Sequence, residues 1–239
     1  MVWYVFYFIS ISALSVLFIS FPHFWFALLL VLLVTAVALY KNTRGADLLE
    51  IALHTVPVLF LLLTSFFFTI FIPQGYAYGF AVVTSFLTLY SIYETQTKGT
   101  LVHAPSVRRN WVVPLFSLYY FSAGCFSASL ILGISGLFFV FPVLCVVFFV
   151  AMGAFEHENP LRSILRALSV ALLAVELFAI VWFAPWTPLI RGALFTVILL
   201  SILFAAELPE EMHQPRVYFK IAGVAATIIT VVLFISRWT

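Results

Sequence analysis

The sequence predicts an all-α integral membrane protein, and three observations carry that prediction. Apolar residues make up 65% of the 239 residues, whereas Asp, Glu, Lys and Arg make up 8%; soluble domains run at about 45–50% and about 25%. The mean hydropathy is +1.20, which leaves too little polar surface to coat a soluble core of this length. The apolar residues also fall in continuous runs near the ~20 residues that a helix needs to cross a bilayer. A membrane barrel would show alternating segments of about 10 residues instead. Helices are the default in lipid because backbone groups find hydrogen-bond partners only within the segment.

About nine runs follow one another, arranged as four helical hairpins and a last helix. Residues 2–20 start at Met1 with no basic stretch and no small-residue cleavage site, which reads as a retained helix and not a signal peptide. Pro22 breaks the chain before 22–40. Pro73 and Gly75 separate 50–72 from 76–94. Gly133 and Gly136 separate 112–132 from 136–154, and Pro185 and Pro188 separate 162–184 from 188–206. The final run is 218–236. The basic residues orient the set. Of the eleven Lys and Arg residues, all but Arg191 and Arg237 flank the connections after the second, fourth, sixth and eighth runs. The positive-inside rule makes that side cytoplasmic, so the N-terminus is inside and the C-terminus outside. A bacterial cytoplasmic membrane is the expected location. The outer face reduces to short, nearly uncharged turns.

A shift of 113 residues lays the first four spans on the next four. It brings Tyr7-Phe8 onto Tyr120-Phe121, Gly79 onto Gly192 and Glu94 onto Glu207. His103-Ala104-Pro105 and His213-Gln214-Pro215 follow the two halves. The reading is a pair of parallel repeats, 1–111 and 112–217, with 218–239 as a final helix; an even number of spans keeps the halves in one orientation. Chance identities are frequent in a chain this rich in Leu and Phe, so an accidental match stands beside a true duplication.

Of the nine acidic residues, only Glu176 lies away from the basic side. It sits within an apolar span, where an acidic group costs roughly 2.5–3.5 kcal/mol at the helix centre. The expectation is that it is buried against other helices, either neutral or paired. Arg191, across the Pro185–Pro188 turn, is the nearest opposite charge in sequence. The two are candidates for a proton, cation or substrate site. The plainer readings are an interhelical hydrogen bond for Glu176 and snorkelling to the interface for Arg191.

Weaker candidates are His54 one turn after Glu50, the Glu156-His157-Glu158 connection, and Glu207, Glu210 and Glu211 with His213. All read better as interfacial or solvated groups than as metal ligands. Cys125 and Cys145 read as free, membrane-buried thiols. Ser117, Gly124, Ser127 and Ala128 share one span, and Gly124 with Ala128 forms a small-xxx-small pair suited to close helix packing. Trp182, Trp186 and Trp238 fall at expected outer ends, as an interface belt requires. No Ser-His-Asp, HExxH or CxxC arrangement appears. A net charge of +2 and the lack of a Gly-rich phosphate loop argue against nucleic-acid binding.

The stretch VELFAIVWFAPWTPLIRGALFTVIL resembles an uncharacterised multi-pass membrane family of candidate-phylum bacteria. The likeness rests on a Glu-Leu in a late span, an aromatic-x-Pro-x-Thr-Pro turn and a Gly-bearing helix, with a basic residue and Trp near the end, here Arg237-Trp238. It covers mainly residues 165–239. Here Ala184 stands between Phe183 and Pro185, and Arg191 precedes Gly192. The resemblance implies a cytoplasmic-membrane protein of similar length with Glu176 as a shared feature, and it implies no activity. Two functions therefore stand as expectations. One is a non-enzymatic scaffold or subunit of a membrane or envelope assembly, touching the bilayer and other membrane proteins or further copies of itself. The other is a small transporter or channel-like protein using Glu176. Neither calls for a cofactor or a metal.

Overall fold

The computed structural model of the chain describes Leu33 and residues 48–72, 74–98, 112–155, 160–207 and 215–236. Among these residues the fold is seven α-helices: α1 Leu48–Thr69, α2 Gln74–Lys98, α3 Val112–Leu132, α4 Leu137–Ala154, α5 Pro160–Trp182, α6 Pro188–Glu207 and α7 Pro215–Ser236. Each coincides with one of the expected runs from the third to the ninth. Apart from Leu33, the first two runs lie outside the described residues.

The helices support an all-helical membrane protein, and by length and composition they support fewer than nine spans. Among the described residues four helices are long and apolar enough to cross a bilayer: Val112–Leu132, Leu161–Trp182, Pro188–Glu207 and Pro215–Phe234. Leu59–Thr69, Tyr76–Tyr90 and Leu137–Met152 are shorter apolar stretches of 10–17 residues. α2 closes on Glu94, Gln96 and Lys98 after a run of Tyr, Ser and Thr. In α4 the whole helix is only 18 residues and carries Pro142.

Proline and glycine set the boundaries. α5, α6 and α7 each begin on proline, whose fixed φ suits the first helical position and whose missing N–H is not needed there. Between α3 and α4, Gly133 adopts φ +66°, a left-handed turn that a side chain would strain. Ser129 Oγ donates to Ile134 O at 2.8 Å across this turn. At the other end of α4, the Phe155 N–H reaches the carbonyls of Ala151 and Met152. Ser163 Oγ, on α5, donates to Phe155 O at 3.0 Å and ties the next helix to that end.

The chain divides into two compact units, Met1–Tyr120 and Phe121–Thr239, and the boundary falls within α3. In the first unit α1 pairs with α2. Its core is built around Phe68, fully buried, which stacks on Tyr120 at 5.5 Å and meets Phe80 edge-on at 5.0 Å. In the second unit α5 packs on α4 and α6, and α6 packs on α7. Phe126 stacks on Phe178 at 4.7 Å, and Phe178 meets Phe195 edge-on at 5.7 Å.

Candidate functional site

Glu176 is exposed on α5, so the expectation of burial against neighbouring helices is corrected. The helix period supplies the reason. The inward face of α5 is formed by Ala167, Val170, Ala174, Phe178 and Val181, all buried and spaced three or four apart. Glu176 stands two residues from both Ala174 and Phe178, which turns it about 200° away from each. Its neighbours on the outward face, Leu172, Leu173 and Ile180, are exposed as well.

Arg191 lies in the first turns of α6, where its N–H bonds Thr187 O at 3.0 Å. It is half-buried, and its Nε is buried with no hydrogen-bond partner. Among the described residues no ion pair joins it to Glu176. The pair that adjacency across the turn suggested is not brought together.

The structure gathers polar groups that the sequence reading passed over. In the first unit Thr64, Ser65, Thr84, Ser85 and Thr88 are all buried. Thr84 Oγ1 donates to Phe80 O at 2.8 Å, and the same oxygen lies 2.7 Å from Ser65 Oγ and 3.4 Å from the Tyr120 hydroxyl. Ser85 and Thr88 donate to Ala81 O and Thr84 O, each at 2.8 Å. Back-bonding to the carbonyl four residues earlier lets a hydroxyl sit inside a helical bundle without an orphan proton. The available signal was the Thr84–Thr88 spacing of four, with Thr64 and Ser65 on the partner helix. Ser117 is buried too, and its Oγ has no partner.

In the second unit two helices approach closely at Gly192. A Cβ placed there would come within 2.7 Å of Ala123 Cβ and 2.8 Å of Ala123 N. The expected small pair, Gly124 and Ala128, is buried, but the close backbone contact belongs to the neighbouring Ala123. Ser122 Oγ donates to Gly192 O at 3.3 Å beside this crossing, and lies 3.4 Å from Thr196 Oγ1. Trp182 is not simply an interface residue. Its ring covers Gly136, where a Cβ would meet it at 2.7 Å, and it packs on Phe126 and Phe178. Trp186 is exposed, and Trp238 lies outside the described residues.

Cys125 and Cys145 are free thiols. The side chains of Glu50 and His54, the Glu156-His157-Glu158 connection, and Glu210, Glu211 and His213 lie outside the described residues. Among the described residues no cluster of three or more His, Cys, Asp or Glu could hold a metal. A groove of about 470 Å³ opens between α5, α6 and α7, lined by Arg162, Arg166, Ser169, Ala205, Ala206 and Tyr218 with other residues. Within each unit the buried hydroxyls other than Ser117 bond backbone carbonyls or one another, which suits them to holding helices together. No family model, no curated protein and no solved structure matches this chain.

Proposed function

We propose that the protein is a non-enzymatic subunit or scaffold of an assembly in the bacterial cytoplasmic membrane. One observation carries this reading: Glu176 is on the outward face of a helix apolar enough to cross the bilayer. It stands six residues, about 9 Å, from the Trp182 end of α5. A carboxyl group facing lipid at that depth has nothing to bond, and the penalty rises to roughly 2.5–3.5 kcal/mol toward the helix centre. A helix of another molecule laid over this face removes the group from lipid and supplies a hydrogen bond. The transport alternative draws no support from a carboxylate turned away from its own bundle.

The test compares Glu176→Gln with Glu176→Leu after gentle solubilisation, reading native mass against the 26.9 kDa of one chain. Wild type and Glu176→Gln should run as a complex, because the amide keeps both a donor and an acceptor. Glu176→Leu should dissociate it. Wild type running as a single chain would sink the reading. A bound small molecule lost on Glu176→Gln would favour transport.

The topology belonging to this reading is nine spans with the N-terminus inside. The seven described helices run from 18 to 25 residues, about 27–38 Å at 1.5 Å per residue, enough for each to cross a ~30 Å hydrocarbon layer or nearly so. A reporter fused after Thr239 should be exposed outside, and one inserted near Gly99 should be cytoplasmic. Finding both on one side would overturn it.

A further inference from the structure

The groove between α5, α6 and α7 lies within the second unit, at the end of these helices where the basic residues gather. Its charged wall is α5. Arg162 and Arg166 both line it, and their spacing of four sets them one above the other on one helical face. Ser169 and Val170 continue that wall into the membrane-spanning stretch. From Arg162 to Val170 the wall runs about 12 Å at 1.5 Å per residue. Ala205 and Ala206, on the helix that packs against both α5 and α7, supply small side chains where larger ones would close the space. Tyr218 of α7 completes the lining. The groove is therefore cationic at one end and apolar along the rest. Ser169 does not interrupt the apolar part, because its hydroxyl already donates to Leu165 O at 2.9 Å.

We infer that this groove holds one anionic phospholipid, with its phosphate at Arg162 and Arg166 and an acyl chain along Ser169, Val170 and the two alanines. Charge complementarity names the occupant. Guanidinium groups bind phosphate oxygens through paired, charge-assisted hydrogen bonds. Both arginines have other contacts as well, and a bidentate carboxylate leaves further donors of the same fork open. Among the described residues of the second unit, this end carries Arg162, Arg166, Arg216 and Lys220 with Glu207. The flanking connections, outside the described residues, add Glu156, Glu158, Glu210 and Glu211; the inference rests on the guanidiniums that line the groove, not on the net charge of this end. The apolar part separates a lipid from a free phosphate, since an inorganic anion leaves it empty and an acyl chain fills it. In the topology proposed above, the basic side is cytoplasmic. Anionic lipids give that leaflet its negative surface potential, and basic pockets between membrane helices on that side bind their headgroups.

A second groove, lined by Pro215, Tyr218, Phe219 and Ala222, differs in kind. None of these four carries a charge, so nothing in them selects one lipid headgroup over another. The inference is also independent of what covers Glu176. That residue lies ten positions beyond Arg166, about 15 Å farther along α5, so failure at the groove leaves the subunit reading untouched.

Full-length protein in mixed micelles with phosphatidylglycerol or phosphatidylcholine tests the site by native mass spectrometry, which counts the lipid molecules retained per 26.9 kDa chain. Wild type should retain one phosphatidylglycerol in preference to phosphatidylcholine. Arg162→Gln should lower that preference about fivefold, and Arg162→Gln with Arg166→Gln about thirtyfold, the effect of one and two basic groups near an anionic headgroup. Ala206→Leu leaves both arginines in place and fills the groove, so it should lower phosphatidylglycerol retention at unchanged charge. Inorganic phosphate should not displace the lipid. Cooperative thermal unfolding checks that each variant is folded, and where one variant loses it the other decides. Equal retention of the two lipids, or a double Gln variant that behaves as wild type, would overturn the inference. Full retention in Ala206→Leu would reduce the arginines to snorkelling at the surface and remove the groove as the site. Displacement by inorganic phosphate would make the groove a site for soluble anions and remove the lipid. No lipid retained by the folded wild type would leave the groove to the chain itself and end the inference.

Discussion

Gly79 and Gly192 are placed at matching positions by the 113-residue shift, yet their surroundings are opposite. Gly79, in the second turn of α2, is exposed and has open space where a Cβ would be. Gly192, in the second turn of α6, lies against the backbone of Ala123. The contrast extends to the units around them. The first unit joins its helices through hydroxyls, with Ser65, Thr84 and Tyr120 sharing one oxygen. The second brings backbones together at Gly192 and fills the remaining space with the rings of Phe126, Phe178, Phe195 and Trp182. Lipid tails are as apolar as leucine, so helices in a bilayer gain little from burial alone and depend on contact and hydrogen bonds. The two units divide those terms differently.

The largest effect expected from this contrast is at Gly192. Ala123 meets the new atom with its own Cα and N, each at 2.8 Å, and backbone cannot swing aside as a side chain does. Gly192→Leu should therefore cost at least ~3 kcal/mol, the upper end of ordinary overpacking. Gly79→Ala should be tolerated and gain up to about 1 kcal/mol of helix propensity. Unfolding of both variants by denaturing detergent in mixed micelles reads the difference. A tolerant Gly192 would show that the close crossing does not hold the second unit together.

The helices were legible because their signals are local. Apolar length gave their existence, and Pro160, Pro188, Pro215 and Gly133 gave their ends. The number of spans was less legible, because α2 and α4 mix apolar runs with polar ends or a short length. Which way a residue faces was the least legible. Glu176 was expected to be inward on the argument that a carboxylate avoids lipid. The helix period places it two residues from Ala174 and Phe178, and those residues hold the inward face. Avoidance of lipid is a statement about the finished assembly, and a single chain satisfies it only if the group happens to face its own bundle. Arg191 failed as a partner for a related reason: adjacency across a turn fixes depth but not rotation about the helix axis. The hydroxyls of α1 and α2 were missed because Ser and Thr are unremarkable in composition. Their role emerges only when Ser65 and Thr84, nineteen residues apart, come within 2.7 Å.

A middle-sized effect is expected at Thr84. Thr84→Val keeps the branched shape and removes the oxygen that Ser65 and Tyr120 share. The loss should be about 0.6–1.7 kcal/mol, the measured range for hydrogen bonds between membrane helices. The same detergent titration on Ser65→Ala, Thr84→Val and the double variant isolates the pair. If the two single effects simply add, the 2.7 Å contact carries no coupling and the first unit is held by packing, as the second is.

The smallest effect tests the comparison within one helix. Ser117 and Ser122 lie five residues apart on α3, on either side of the boundary between the units, and both are buried. Ser122 Oγ has Gly192 O and Thr196 Oγ1 within 3.4 Å. Ser117 Oγ has no partner. Removing a satisfied hydroxyl loses its bond, whereas removing an unsatisfied one relieves the penalty of burying it. Ser122→Ala should therefore destabilise by about 0.6 kcal/mol. Ser117→Ala should be neutral or stabilising by up to ~1 kcal/mol, since alanine differs there only by the oxygen. The two changes should thus have opposite signs in the same titration. A clear loss on Ser117→Ala would mean that its hydroxyl bonds something in the membrane that the folded chain alone does not supply. The first unit would then join the outward face of α5 at Glu176 as a place where another molecule completes the structure.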